Sequence, residues 1–186
     1  MELFKYLDKI NKISDNAKEA IRPLISLIRY NKNETVQEIG SRCKTIYMVK
    51  SGCARIYYYK DGKDITEQFA FENDIIVRAE SLFTSQPTAK GIQTLEETEM
   101  ISINSSKLFK LYDDHHEIER LFRIIFEREY VNSIKRLESL QFNSAKERYI
   151  ELIKNEKIVR KIPLKHIASY LGITQVSLSR IRAEVL

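Results

Sequence analysis

The residues whose types could do the most evident chemistry lie within six positions near the end of the chain: Gln175, Ser177, Ser179 and Arg180. Arginine can donate two hydrogen bonds to guanine, glutamine can pair in the same way with adenine, and serine can reach a base edge or a phosphate. Val176 could contact a thymine methyl group from the same surface. A helix that enters the major groove of DNA needs such a small, hydrogen-bonding and cationic face.

Two short helices are predicted to hold this face in place. Apolar residues recur with helical spacing in both segments, as Leu164, Ile167, Ala168 and Leu171 and then as Leu178, Ile181 and Val185. Pro163 suits the start of the first helix, Gly172 its end, and Thr174 the N-cap of the second. A helix, a short glycine-containing turn and a second helix form a helix-turn-helix. The alternative is an ordinary helical hairpin with a solvated outer face.

The stretch IASYLGITQVSLSRIR, residues 167–182, resembles the recognition segment of the Crp/Fnr family of bacterial transcription regulators. In that family a β-roll similar to cyclic-nucleotide-binding domains comes first, a long dimerisation helix follows, and the helix-turn-helix comes last. The resemblance covers nearly the whole chain and implies a cytoplasmic homodimer that binds pseudo-palindromic promoter DNA, with RNA polymerase as a further partner. We expect base contacts from Gln175, Val176, Ser177, Ser179 and Arg180, and phosphate contacts from Thr174, Lys165 and Arg182.

The net charge of +5 is unevenly distributed along the 186 residues. Residues 1–140 hold 22 basic and 22 acidic side chains, whereas residues 141–186 hold 9 basic and 4 acidic ones. A basic segment joined to a neutral one indicates a polyanionic partner, although a solvated basic surface is the alternative. No apolar run approaches the length of a membrane span and no signal-peptide pattern is present, so Cys43 and Cys53 are expected to be free thiols.

The segment from Leu24 to about Ser102 has the pattern of short strands. Six stretches rich in β-branched and aromatic residues are separated by turn signals: LISLIRY, TIYMV, ARIYYY, DITEQFAF, GIQTL and EMISI. Asp61-Gly62 is a strong signal for a two-residue hairpin. Together with the resemblance, this pattern predicts an α+β chain whose residues 1–112 form an antiparallel β-roll, a double-stranded β-helix of the cyclic-nucleotide-binding type.

A β-roll could also be a cupin-type metalloenzyme, which would hold its metal mainly with imidazoles. The three histidines, His115, His116 and His166, all lie beyond the predicted strands. Two cysteines are too few for an iron–sulfur cluster. No nucleophile–base pair and no phosphate loop is evident in the sequence. We therefore expect neither an enzyme nor a bound metal or cofactor.

Family members that bind cyclic AMP carry a Gly-Glu pair followed by an arginine with Ser or Thr and Ala. In the corresponding stretch here, residues 74–96, Glu80 has no preceding glycine, and Ala89 stands where the arginine is expected. Without a guanidinium the cyclic phosphate loses its main anchor, so cyclic AMP is not the expected effector. Arg78, Glu80 and Lys90 are candidates for contacts to another effector; the alternative is that they are solvated loop charges.

A long helix is predicted over residues 113–141. Its apolar stripe consists of Ile118, Phe122, Ile125, Phe126, Tyr130, Ile134 and Leu137, with Ile124 and Val131 on the opposite side. A helix that is apolar on two sides must be covered twice, so we expect a homodimer interface along this stripe. The alternative is burial within one chain.

Residues 142–186 then form the DNA-binding domain, which begins with a capping box at Ser144–Glu147. A competing hypothesis is a ligand-binding or interaction module whose C-terminal helices contact a protein.

Overall fold

Eight strands form two four-stranded antiparallel sheets, with the orders β1-β8-β3-β6 and β2-β7-β4-β5. The computed structural model describes residues 2–155, 158 and 161–185. The strands are β1 Ile25–Tyr30, β2 Thr35–Gln37, β3 Thr45–Ser51, β4 Cys53–Lys60, β5 Lys63–Phe71, β6 Ile75–Ile76, β7 Lys90–Thr94 and β8 Thr98–Asn104. The predicted α+β roll is confirmed. The strands β2 and β6 were not predicted, because two or three residues are too few to show an alternating pattern.

The β4–β5 hairpin turns at Asp61 and Gly62, as the sequence predicts. Both residues have positive φ angles, 52° and 73°, which is the backbone of a type I′ turn. The two sheets enclose a core of mainly aliphatic side chains: Tyr47, Val49, Ala54, Ile56, Ala70, Ile76, Ile92 and Met100. Cys43 and Cys53 are buried and unpaired. Burial raises the pKa of the Cys53 thiol to about 12, so this thiol is protonated and poorly reactive at neutral pH.

Helices cover the outer face of the first sheet. They are α1 Glu2–Ile10, α2 Asp15–Ile21, α3 Ala79–Thr84, α4 Ser105–Lys110 and the long α5 His116–Phe142; a 3₁₀ turn, Arg22–Leu24, leads into β1. Ser14 caps α2 by accepting a hydrogen bond from the Ala17 N–H. The side chain and N–H of Ser14 also donate to Glu117, which ties the N-terminal helices to the start of α5.

The apolar stripe of α5 divides at its middle. Ile118, Phe122 and Ile125 are buried in the chain's own core, together with Leu3, Leu7, Ile46 and Ile103. Assigning these three residues to a dimer interface is therefore wrong: the first half of the helix lies on the roll, and helical periodicity does not reveal what covers a face. Phe126 is half-buried and contacts the ring of Phe83. Large apolar side chains of the second half are exposed: Tyr130, Val131, Ile134, Leu137, Leu140 and Phe142.

Three C-terminal helices complete the described chain: α6 Ala145–Ile153, α7 Leu164–Tyr170 and α8 Gln175–Val185. Both hydrogen bonds of the predicted capping box are present: the Ser144 hydroxyl accepts from the Glu147 N–H, and the Glu147 carboxylate accepts from the Ser144 N–H. The helix-turn-helix is formed by α7 and α8. The division at residues 112 and 141 stays a prediction, and one hydrophobic cluster crosses it, since Phe69 and Leu95 of the roll pack with Ile167 and Leu171 of α7. No described helix is long and apolar enough to span a membrane.

Candidate nucleic-acid interface

The turn between α7 and α8 fixes the direction of the last helix. Gly172 has a φ of +70°, and its N–H donates to the Ser169 carbonyl at 3.1 Å. The N–H of Ile173 donates to the Ala168 carbonyl at 3.0 Å, which completes a Schellman motif. Thr174 then caps α8 by accepting a hydrogen bond from the Ser177 N–H at 3.1 Å. Each of these roles follows from the residue types that the sequence supplies.

The outer face of α8 is solvent-exposed and carries the residues predicted to read bases. Leu178 is fully buried against α7, and Ile181 and Val185 are half-buried beside it. On the other side Gln175, Val176, Ser177, Ser179, Arg180 and Ala183 are exposed, with 64% of the Val176 surface accessible. The structure therefore brings all five predicted base-reading residues onto one surface.

The charges around this surface favour an anionic partner. Glu184, the acid of α8, pairs with Lys146 of α6 at 2.9 Å, which offsets its charge. Arg180 is exposed, and Arg182 is half-buried in the last turn of α8. Neither arginine has an ion-pair partner among the described residues. An unpaired guanidinium beside a neutralised acid leaves a cationic surface for phosphate or base edges.

Two residues predicted to contact phosphates, Thr174 and Lys165, also interact with other parts of the chain. The Thr174 hydroxyl lies 2.9 Å from the Ser177 hydroxyl as well as capping α8, so both hydroxyls already have a neighbour within the chain. Lys165 is exposed at the start of α7, where its charge helps to lower the pKa of Asp64 in the roll. This places Lys165 near the roll.

A buried arginine joins the helix-turn-helix to the roll, and sequence reasoning missed it. Arg55 of β4 is 2% exposed. Its guanidinium donates to both carboxylate oxygens of Asp64 at 2.6 and 2.7 Å, to the Thr66 hydroxyl at 3.0 Å and to the Gln93 amide oxygen at 2.9 and 3.2 Å. Arg55 Nη1 also lies 2.9 Å from Nδ1 of His166 in α7. Since arginine only donates, Nδ1 accepts, and the imidazole is neutral.

Burial and the charge of Arg55 shift the pKa values of both His166 and Asp64. Burial, followed by the nearby charge of Arg55, lowers the pKa of His166 to about 4. Burial is the largest influence on the pKa of Asp64 and would raise it, but the hydrogen bonds from Arg55 and the nearby positive charges together outweigh burial, and the net pKa is lowered. The arginine in an otherwise apolar strand, ARIYYY, was the available sequence signal. Its partner His166 lies 111 positions away, and nothing in the sequence joins the two.

Further apolar and cationic contacts join α7 to the roll and to α5. The rings of Phe69 and Tyr170 lie 5.0 Å apart, and the N–H of Thr66 donates to the Ser169 hydroxyl at 2.9 Å. Arg136 of α5 stacks over Tyr170 at 3.6 Å and donates to its carbonyl at 2.8 Å. The first helix of the helix-turn-helix is thus packed on both the roll and the long helix.

A cavity of about 450 Å³ lies between the roll and α5. Arg78, Glu80 and Lys90 all line it, so the structure brings together the three residues predicted for effector contacts. Glu67 of β5 and Glu129 of α5 line it as well. Burial raises the pKa of Glu129. Among the described residues, no group of three or more His, Cys, Asp and Glu side chains could hold a metal ion.

Arg78 is not a solvated loop charge. It is 2% exposed and donates to the Gln37 side chain at 2.8 Å, to the carbonyls of Glu38 and Lys90 at 2.9 and 2.8 Å, and to the Ser41 hydroxyl at 3.1 Å. Its guanidinium therefore ties together the loops around the cavity. Lys90 pairs with Glu67 at 2.6 Å, so the second cation is also engaged within the chain.

Residues 27–115 match the cyclic nucleotide-binding domain family. No curated protein sequence matches the chain closely enough to count as a relative. Solved structures are similar at low identity. A transcriptional regulator of the Crp/Fnr family from Eubacterium rectale has a TM-score of 0.76 at 19% identity, over 97% of this chain and 87% of that chain. FixK2 from Bradyrhizobium japonicum has a TM-score of 0.73 at 19% identity, over 87% and 84%.

CLP, a c-di-GMP-responsive global regulator from Xanthomonas campestris, has a TM-score of 0.70 at 14% identity, over 92% of this chain and 91% of that chain. The similarity to the Eubacterium rectale regulator covers nearly the whole of this chain. The predicted resemblance is confirmed: residues 27–115 match the model of the cyclic nucleotide-binding domain family, and the chain has the fold of the Crp/Fnr-type transcription regulators.

Proposed function

We propose that this protein is a homodimeric transcription regulator that binds pseudo-palindromic promoter DNA through α8. The exposed face of α8 carries the proposal. It presents an amide, two serine hydroxyls, a small apolar side chain and a guanidinium with no ion-pair partner among the described residues, and its one acid pairs with Lys146. Arg180 and Gln175 are the proposed base-reading residues with Val176, Ser177 and Ser179, because these groups match the donor and acceptor pattern of the major groove. Arg182, Lys165 and Thr174 are proposed for phosphate contacts.

The second half of α5 supports the dimer. Tyr130, Ile134 and Leu137 share a helical stripe and are exposed, with 68% of the Tyr130 surface accessible. Exposed aromatic and branched aliphatic side chains in a row are costly in water unless a partner covers them. A second copy of the same helix across a two-fold axis covers the row with itself. Two copies of α8 would then face two half-sites of one operator.

The cavity between the roll and α5 is the proposed effector site, and cyclic AMP is not the proposed effector. A cyclic phosphate needs a fixed and available cation. The hydrogen bonds of Arg78 go to four groups of the chain, Lys90 is paired with Glu67, and Ala89 stands where the phosphate-binding arginine is expected. Glu80 adds a carboxylate to the walls. This charge opposes an anionic ligand.

Selection of binding sites from a random duplex library at near-physiological salt tests the proposal. We expect an inverted repeat to be enriched. With that operator in hand, Arg180→Ala should weaken specific binding by about 1–3 kcal/mol and relax the preference at one base pair of each half-site. Arg42→Ala is the matched control, since Arg42 is an exposed arginine of the roll. It should leave binding unchanged.

Two results would contradict the proposal. Recovery of unpatterned DNA that is lost with a modest increase in salt would reduce the α8 surface to a non-specific cationic patch. Equal losses for Arg180→Ala on operator and random DNA would remove Arg180 from base reading. Capture of a protein through α8, with no DNA recovered, would favour the competing interaction-module hypothesis.

A further inference from the structure

The outer face of the first sheet continues beyond the helices that cover it. Leu27 of β1 pairs with Ile101 of β8, and Ile101 pairs with Met48 of β3, so the three side chains form one row across three strands. Neighbouring strands lie about 4.8 Å apart, which makes the row about 10 Å long. The row is covered unevenly: 51% of the Leu27 surface is accessible, whereas Met48 and Ile101 are each only 7% exposed.

A cavity of about 540 Å³ lies over this row. The apolar row and Leu3 form part of its lining, α1 contributes one side, and the turn at Glu72 and Asn73 lies on another. Its volume is within the range of small-molecule sites, about 300–1,000 Å³. A cavity bounded by a helix, a sheet and a turn fits a small amphiphile better than a protein segment, which needs an open groove.

The charged residues that line the cavity are three lysines, Lys5, Lys9 and Lys50, and one acid, Glu72. Lys5 and Lys9 line the cavity from α1 and are one helical turn apart, so their ammonium groups lie on the same side of the helix. Neither has an ion-pair partner among the described residues. Lys50 also lines the cavity but pairs with Glu99 at 2.9 Å. Two unpaired ammonium groups beside an apolar floor complement a ligand with one anionic end and an apolar body.

We propose that this cavity binds a free fatty acid of medium chain length. The hydrocarbon tail lies along Leu27, Ile101 and Met48, whose row is close in length to the extended tail of decanoate. The carboxylate accepts hydrogen bonds from Lys5 and Lys9, which places its charge beside two cations that have no ion-pair partner among the described residues. The site is separate from the cavity between the roll and α5 and does not depend on the DNA-binding proposal.

Calorimetric titration of the full chain with decanoate, below its micellar concentration, tests the site. We expect saturable binding of one decanoate per chain. The double variant Lys5→Gln, Lys9→Gln should raise the Kd for decanoate about tenfold or more, because it removes the charge-assisted hydrogen bonds. Leu27→Asp should abolish binding by placing a carboxylate against the tail. Lys32→Gln, Lys60→Gln is the matched control, since it removes two exposed lysines that do not line the cavity.

Comparison with the neutral ligand decanol distinguishes the contribution of the two lysines from that of the apolar row. We expect decanol to bind more weakly than decanoate and with the same Kd in the wild type and in the Lys5, Lys9 variant. An equal loss for both ligands in that variant would overturn the proposal, as would decanoate binding that survives Leu27→Asp or appears only above the micellar concentration. Binding of an acidic amphipathic peptide that these variants weaken, without binding of decanoate, would instead assign the surface to a protein partner.

Discussion

The buried imidazole between the roll and α7 should make the stability of this protein depend on pH in a defined window. His166 is 5% exposed, and its pKa is about 4, against 6.5 for an unperturbed imidazole. The unfolded chain therefore binds a proton at a pH where the folded chain does not. Stability that is fully present above pH 6.5 is lost as the pH falls towards 4.

The size of the effect follows from the two pKa values. A difference of one pKa unit corresponds to about 1.4 kcal/mol, so the full effect is limited to about 3 kcal/mol. Integration between pH 7.5 and pH 5 gives a loss of about 2 kcal/mol. The charged groups that face the imidazole are Arg55 and Asp64 of the roll and Lys165 of α7. Arg55 and Lys165 oppose protonation, whereas Asp64 favours it, and burial adds to the opposition.

Urea unfolding at pH 7.5, 6.5, 5.5 and 5.0 measures this loss, with His166→Gln as the comparison. The glutamine amide oxygen can still accept a hydrogen bond from Arg55 but does not titrate. All other groups titrate in both proteins, so the difference between the two curves isolates His166. We expect the wild type to lose about 2 kcal/mol more than the variant between pH 7.5 and 5. Parallel curves would refute the buried, neutral imidazole and with it the contact between Arg55 and α7.

Three further predictions concern other parts of the chain. Leu137→Asp should convert the proposed dimer to a monomer in sedimentation velocity. Ile125→Ala should lower the free energy of unfolding by about 2–5 kcal/mol and leave the proposed dimer intact, because Ile125 lies in the chain's own core. Gly172→Ala should destabilise the helix-turn-helix by about 1 kcal/mol or more, measured by thermal unfolding, since alanine is strained at a φ of +70°. Arg78→Met should lower the thermal midpoint without any ligand, because four acceptors lose their donor; an unchanged midpoint would show that Arg78 is held for a ligand instead.

The elements that could be predicted from the sequence are those whose signals are local. The helix-turn-helix was predictable because Gly172 and Thr174 terminate and start helices by their own backbone and side-chain chemistry. The β4–β5 hairpin was predictable from Asp61-Gly62 for the same reason. The strands β2 and β6 were missed because their pairing depends on distant strands that complete the sheets.

The predictions that needed correction concern what covers a surface. Helical spacing identified the apolar stripe of α5 but could not show that the roll covers Ile118 and Ile125 while leaving Leu137 exposed. Residue type alone also could not separate a buried arginine from a solvated one. Arg55 and Arg78 are both buried, because acceptors from several segments converge on each guanidinium, and this convergence exists only in the folded chain.

The proposed effector cavity and the contact with the DNA-binding helices share one strand. The strand β5 bulges at this point: Thr66 and Gln68 pair with adjacent residues of β4, and Glu67 between them is the extra residue. Glu67 lines the cavity, whereas Thr66 contacts both Arg55 and Ser169 of α7. A ligand that pairs with Lys90 or displaces Glu67 would therefore change the strand that holds α7. Such a ligand can act on DNA binding only through a difference in its affinity for the docked and undocked arrangements. Loosening the Arg55 contact should thus alter operator affinity even when the cavity is empty.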